Sequence, residues 1–239
     1  MCFCGALFNY LPSFQLASVS KSFTSAILGR LVDRGLVHYD DPLSKYLSGS
    51  IFPPKKWPVK EEAKAVNITL RQLLCHSGGV HVDSEDWLQG LRTVFVAQNV
   101  TQTVAQYRDV PLQFTPGSHF NYSNYGFQLL GAVIEAVSQR PYPAVAADFL
   151  RAAGLRSTFI GNMSVVLHDV PRYYTAVDVN NLKENVPTLP FDELFFVEGM
   201  WPAGGYISTV DDLLAYGQLL IDSYKGRPNG KWWPPANGR

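Results

Sequence analysis

Apolar residues spaced three or four apart define the strongest segments of this chain. From about Ser18 to Arg34, Phe23, Ala26, Ile27 and Leu31 recur at helical spacing, with Lys21, Arg30 and Asp33 between them. Gly35 is placed to follow the helix as its C′ residue. Asp41 is expected to cap a short helix whose first residue is Pro42 and which ends near Leu47. Residues 48–66 carry Pro53, Pro54, Pro58 and several lysines and read as a surface loop. Thr69-Leu-Arg-Gln72 matches a capping box and opens a short helix through Leu73, Leu74 and Cys75, closed by Gly78-Gly79. Residues 80–110 fit helix interrupted around Gly90, and Phe114-Thr-Pro-Gly117 is a turn.

A second long helix is predicted from about Ser123 to Ser138, with Phe127, Leu130, Ile134 and Val137 on one face. A shorter one fits Tyr142 to Leu150. Residues 157–198 mix beta-prone runs (Phe159-Ile160, Val165–Leu167, Tyr173–Val177) with Pro171, Pro187 and Pro190, which suits short hairpin strands and long loops. Trp201-Pro-Ala-Gly-Gly205 reads as a tight turn. Thr209-Val-Asp-Asp212 caps a last helix reaching about Tyr224, with Leu213, Leu214, Leu220 and Ile221 as its buried face. No internal repeat is visible, and the pattern yields no set of four or five robust strands.

The 239 residues suffice for one sizeable domain or two small ones. With 46% hydrophobic residues and a net charge of zero, the body of the chain is not disordered. It also has no basic excess for phosphate contacts, which argues against nucleic acid as a partner. No window is long and apolar enough for a transmembrane helix. The N-terminal MCFCGALFNYLPSF lacks the basic region of a signal or transit peptide. Sequons at Asn67, Asn99, Asn121 and Asn162 are weak evidence for secretion.

Cys2, Cys4 and Cys75 make no disulfide framework and read as buried or incidental thiols. His38, His76, His81, His119 and His168 are scattered, without H-x-x-x-H spacing, so neither a metal nor another cofactor is expected.

The chemistry begins at Ala17-Ser18-Val19-Ser20-Lys21. A serine and a lysine three apart on a helix share a face. A serine hydroxyl is a weak nucleophile until a neighbour takes its proton, and a desolvated lysine is one candidate. Taken alone, the pattern is very common and reads as a capping serine and a surface lysine. Tyr122-Ser123-Asn124, just before the second long helix, adds a phenol able to pass protons if Lys21 lowers its pKa. Asn124 can donate to a substrate carbonyl and also hold the lysine. By itself this triplet reads as an aromatic plug and a helix cap.

Together these motifs resemble the serine beta-lactamase-like and penicillin-binding-protein superfamily, and most of all its class C branch of beta-lactamases, DD-peptidases and esterases. The resemblance is carried by FQLASVSKSF with AILGRLVDRGLVHYDDPLSKYL, by ITLRQLLCHSGG, by FTPGSHFNYSNYGFQLLGAVIEAVSQRPY and by WPAGGYISTVDDLLAYGQLLI, in that order. The Arg172-Tyr-Tyr174 stretch with the WPAGG block is most similar to the eukaryotic mitochondrial serine beta-lactamase-like members.

The resemblance implies an α/β (α+β) fold of the beta-lactamase/transpeptidase type. Residues 14–224 would form a partial beta-lactamase-related domain, 1–13 an unassigned segment and 225–239 an unstructured tail. It makes Ser18 the acylated nucleophile, Lys21 its activating partner, Tyr122 the base and Asn124 a substrate-orienting residue. The Ser18 N–H would be half of the oxyanion hole. Cys75, His76 and Ser77 would shape the core, with His76 as general base the alternative. The substrate would be a peptide, amide or ester. A mitochondrial location, a link to lipid metabolism and a homo-oligomer or filament are implied as well.

The family's third motif, Lys-Thr-Gly or His-x-Gly, has no match after residue 224, and only about 13 residues precede the nucleophile helix. The expectation is therefore the helical region with much of the central antiparallel sheet missing. Such a chain would fold poorly and be weakly active or inactive. A non-catalytic structural or regulatory protein, or a non-functional fragment of a longer homologue, are the alternatives.

Overall fold

The computed structural model describes residues 12–47, 68–80, 99–105, 110, 112–161, 174–179, 182–187 and 200–226. The expected segments at 48–66, around Gly90, at Val165–Leu167 and at 227–239 lie outside them. The described elements are β1 (Phe14–Gln15), α1 (Ser20–Asp33), α2 (Leu70–Leu74), α3 (Val100–Ala105), α4 (Asn124–Ser138), α5 (Tyr142–Ala153), β2 (Phe159–Ile160), β3 (Tyr174–Val179), β4 (Leu182–Pro187), α6 (Trp201–Gly204), β5 (Tyr206–Ser208) and α7 (Val210–Tyr224). Two 3-10 turns, Ala17–Val19 and Leu43–Lys45, complete the order. The fold is of the α/β class, with helices dominating the described residues.

Helix α4 lies at the centre. Ser123 caps it by accepting the Gly126 N–H, and every residue from Tyr125 to Glu135 is buried. A helix buried all round needs neighbours on every side. Here α1, α2, α3, α5 and α6 pack around it. Gly131 permits the closest of these approaches, since a Cβ there would meet Pro202 Cγ of α6 at 2.3 Å. Buried Glu135 is satisfied by the Thr101 N–H and hydroxyl and by the Tyr142 N–H, so it ties α3 and α5 to α4.

The small sheet is antiparallel in the order β1-β5-β2, with Phe14 opposite Ser208 and Phe159 opposite Ile207. β3 and β4 form a separate antiparallel hairpin with Tyr174 opposite Pro187. On the helical side of β5, Tyr206, Phe23 and Tyr216 stack with centroids 4.8 and 4.0 Å apart. The Tyr206 hydroxyl meets that of Tyr142 at 3.0 Å; Tyr142 bonds Thr24, and Thr24 donates to the Pro202 carbonyl. Burial pushes both phenols, Tyr142 and Tyr206, well above the ordinary tyrosine range.

The local chemistry departs from expectation at several places. The first long helix does not begin at Ser18: a 3-10 turn carries Ala17–Val19 and the α-helix starts at Ser20. Pro42 sits outside its short helix with extended dihedrals, while the Asp41 carboxylate accepts from the His38 N–H, Lys45 and Tyr46 instead of capping. The 69–72 capping box forms as expected, but α2 closes at Leu74, four residues before Gly78. α5 runs to Ala153, where Gly154 in the left-handed region ends it. Trp201–Gly204 is a short helix and not a tight turn, its Trp201 ring anchored by donating to the Gly161 carbonyl.

The largest departure is α7. Thr209 caps it as expected by accepting the Asp212 N–H. Yet Leu214, Leu220 and Ile221 are exposed, and Leu213 is only partly buried; Tyr216 and Asp222 are the buried positions. Cys75 is exposed too, so it does not shape the core.

Candidate active site

The turn that carries Ser18 is held from both sides by one residue. The Leu16 N–H donates to the Tyr206 carbonyl at 2.9 Å, and the Tyr206 N–H donates to Ser20 Oγ at 3.1 Å. Between these fastenings Ala17 adopts a φ of 44°, in the left-handed region that costs a non-glycine residue free energy. The chain thereby turns sharply enough to expose Ser18 in the 3-10 turn just before α1, three residues before buried Lys21. The Ser18 N–H belongs to a first helical turn, where amides have no intrahelical acceptor.

Lys21 is only 6% exposed. Its Nζ donates to Ser18 Oγ at 3.1 Å, to Asn124 Oδ1 at 2.6 Å and to the Ala203 carbonyl at 2.7 Å. Three acceptors match the three hydrogens of an ammonium group, so this arrangement holds lysine as the cation. A buried cation needs such partners, because stranding it is far costlier than forming it in place. Tyr122 completes the cluster: its hydroxyl donates to Ser18 Oγ at 2.7 Å, and the Lys21 Nζ lies 4.9 Å from its ring centroid. The four residues singled out in the sequence, Ser18, Lys21, Tyr122 and Asn124, thus meet at one point. Three elements bring them there: α1, the N-terminus of α4, and α6.

Sequence reasoning missed two parts of this site. The Ala203 carbonyl is a backbone group with no side-chain signature; the WPAGG block was its only trace. His76 was assigned to the core, but it borders the site half-buried, stacked on Tyr122 with centroids 4.3 Å apart. Its Nδ1 accepts the Ser123 N–H at 3.1 Å, which leaves it no free lone pair there for a base. Burial and the nearby Lys21 charge hold its imidazole below the ordinary histidine value. Val19, next to the serine, and Phe120, edge-on to His76, are 52% and 71% exposed and add apolar surface. Among the described residues no group of three His, Cys, Asp or Glu side chains could hold a metal ion. No described helix is long and apolar enough to cross a membrane.

The chain is similar to proteins of known family. The mitochondrial serine beta-lactamase-like protein of Homo sapiens is 24% identical over 274 residues, covering 88% of this chain and 47% of the human protein. Penicillin-binding protein 4* of Bacillus subtilis is 27% identical over 221 residues, covering 87% of this chain and 44% of its own length. The chain thus spans about half the length of the curated relatives it matches. Among solved structures, a D-stereospecific amidohydrolase from Streptomyces sp. superposes with a TM-score of 0.69 at 27% identity, over 92% of this chain and 64% of that one. A family model described as beta-lactamase matches residues 13–231, nearly the whole sequence. The chain belongs to the beta-lactamase family, within the superfamily of serine beta-lactamases and penicillin-binding proteins.

Proposed function

We propose that this chain is a serine hydrolase that opens an amide or ester bond through an acyl-enzyme on Ser18. The observation that carries the reading is the convergence of Lys21 and Tyr122 on a single atom, Ser18 Oγ, at 3.1 and 2.7 Å. At rest the Tyr122 hydroxyl donates to Ser18 Oγ; once that phenol proton has passed to solvent, the tyrosine oxygen takes the serine proton as Oγ attacks the carbonyl carbon, and the Lys21 ammonium stabilises the negative charge on the tyrosine oxygen. The phenol then returns that proton to the departing nitrogen or oxygen. In the second half water loses its proton to Tyr122, attacks the ester, and Ser18 leaves with the proton. The Ser18 N–H donates to the developing oxyanion, and Asn124 orients both Lys21 and substrate.

Peptides and simple amides or esters are the substrate class, in keeping with the amidohydrolase and penicillin-binding relatives. In this reading the described residues supply the nucleophile, its base and one oxyanion donor. Acylation of Ser18 is therefore the readout of choice. A fluorophosphonate probe should add once, at Ser18, and Ser18→Ala should abolish the adduct. Labelling of the alanine variant at the wild-type rate would falsify the assignment. A mitochondrial location extends the proposal by likeness to the human relative, and a link to lipid metabolism and a homo-oligomer extend it by the family resemblance of the sequence alone. Fractionation and sedimentation of the tagged chain test the first and last.

A further inference from the structure

We propose that His76, as a neutral imidazole, is the positioning residue that aims Tyr122 at Ser18; this rests on the acyl-enzyme reading above. The residues on both sides of Tyr122 are bonded to His76. The Asn121 N–H donates to the His76 carbonyl at 2.8 Å, and the Ser123 N–H donates to its Nδ1 at 3.1 Å. Between these two bonds the Tyr122 ring lies on the imidazole, 4.3 Å away and tilted by 29°. Phe127 and Phe120 approach the imidazole at 5.2 and 5.8 Å.

A backbone N–H only donates. Nδ1 therefore carries a lone pair, and the proton of the neutral ring sits on Nε2. Protonating the ring would convert that acceptor into a donor facing a donor. It would also place a second positive charge near Lys21, the charged side chain that acts on the ring, while Tyr122 is the titratable group stacked on it. The backbone carries its own mark of this role. His76 has a φ of 54°, in a region where glycine would be unstrained and asparagine is tolerated. Glycine would suit the turn yet would lose both the acceptor and the stacking face. The strained residue is itself held in place: the Ser77 N–H donates to the Gln72 carbonyl, and the Gly117 N–H to the Ser77 carbonyl, both at 2.7 Å.

The test uses the full chain and two substitutions. His76→Phe keeps an aromatic face but removes the acceptor. His76→Asn restores an acceptor near the Nδ1 position on a residue that accepts positive φ. Ser18 labelling by a fluorophosphonate should fall by about 100-fold in His76→Phe, the loss expected when a reacting group is misplaced by about 1 Å. His76→Asn should recover most of that loss, with cooperative melting retained in both. Nitrogen-15 NMR of the wild-type chain should show the neutral Nε2–H tautomer of His76. The Tyr122 ring resonances should move in His76→Phe and return towards their wild-type positions in His76→Asn.

Wild-type labelling in His76→Phe, equal losses in both variants, or a protonated Nδ1 would each overturn the proposal. Absence of any Ser18 adduct in the wild-type chain counts against the acyl-enzyme reading instead. The NMR arm then still decides whether His76 holds Tyr122.

Discussion

Helices α4 and α7 are each fifteen residues long, and both are capped by a hydroxyl side chain, Ser123 or Thr209. Both carry enough apolar residues to suggest a buried face. In α4 the burial is complete from Tyr125 to Glu135. In α7, Val210, Leu214, Leu220, Ile221 and Tyr224 remain in solvent, Tyr224 at 93% exposure. The difference lies in neighbours. α4 is surrounded by other helices, whereas α7 is held through Tyr216, which reaches the Phe23 stack, through partly buried Leu213 and Leu219, and through Asp212, which accepts from Ser157 and Thr158. Hydrophobic periodicity states what a helix would bury if a partner layer were present; it does not supply the layer.

Substitutions at matched apolar positions should separate the two helices most sharply. Ile134→Ala in α4 should lower the free energy of unfolding by about 2–5 kcal/mol, through lost burial and an incompletely collapsed cavity. The same measurement by urea denaturation tests whether the centre of α4 is as well packed as its burial implies. A loss below about 1 kcal/mol would place it among lightly packed positions.

The caps come next. Thr209→Ala removes the acceptor for the Asp212 N–H and should cost about 1 kcal/mol. If α7 were only loosely docked and frayed in solution, removing its cap would change the unfolding midpoint hardly at all.

The start of α4 also responds to pH. Burial and the Lys21 charge hold His76 below the ordinary histidine value of 6.5 in the folded chain, so on acidification the unfolded chain binds the proton first. Stability is therefore fully present above pH 6.5 and declines as the pH falls from there towards the lower folded value. Thermal melting between pH 7.5 and 5 should show this decline, and His76→Asn should reduce it. An identical decline in the variant would assign it to other groups.

The smallest effect belongs to the open stripe. Leu214→Ser should change stability by no more than about 0.5 kcal/mol, as is usual for surface substitutions. A loss above 1.5 kcal/mol would mean that something covers this face in solution, and sedimentation of both forms would show whether a second copy does so.

What could be read from the sequence depended on whether the controlling interaction was local. The Thr69–Gln72 box, the Ser123 and Thr209 caps and the helical register of Phe23, Ile27 and Leu31 are decided within a few residues, and they form as expected. The meeting of Ser18, Lys21, Tyr122 and Asn124 was legible for another reason, the motif pair and its order along the chain. The Ala203 carbonyl, the Tyr206 fastenings and the two bonds of His76 were not, because long-range backbone geometry decides each of them. Trp201–Gly204 shows the same limit. Its Pro and glycines suit a turn, but packing of Pro202 on Gly131 and of Trp201 on Gly161 closes one helical turn instead.

The Tyr206 fastening also sets a timetable for the nucleophile. A chain emerging from the ribosome contains Ser18, Lys21 and Tyr122 once residue 122 has been added. Yet the bond from Lys21 to Ala203 spans 182 residues, and that from Tyr206 to Ser20 spans 186. Until those distant residues exist, nothing bends Ala17 into its strained turn or fully surrounds the Lys21 ammonium. Synthesis runs from the N-terminus at a pace of about 5–20 residues per second. Ser18 therefore spends several seconds on a nascent chain before the residues that hold its turn and surround Lys21 are made.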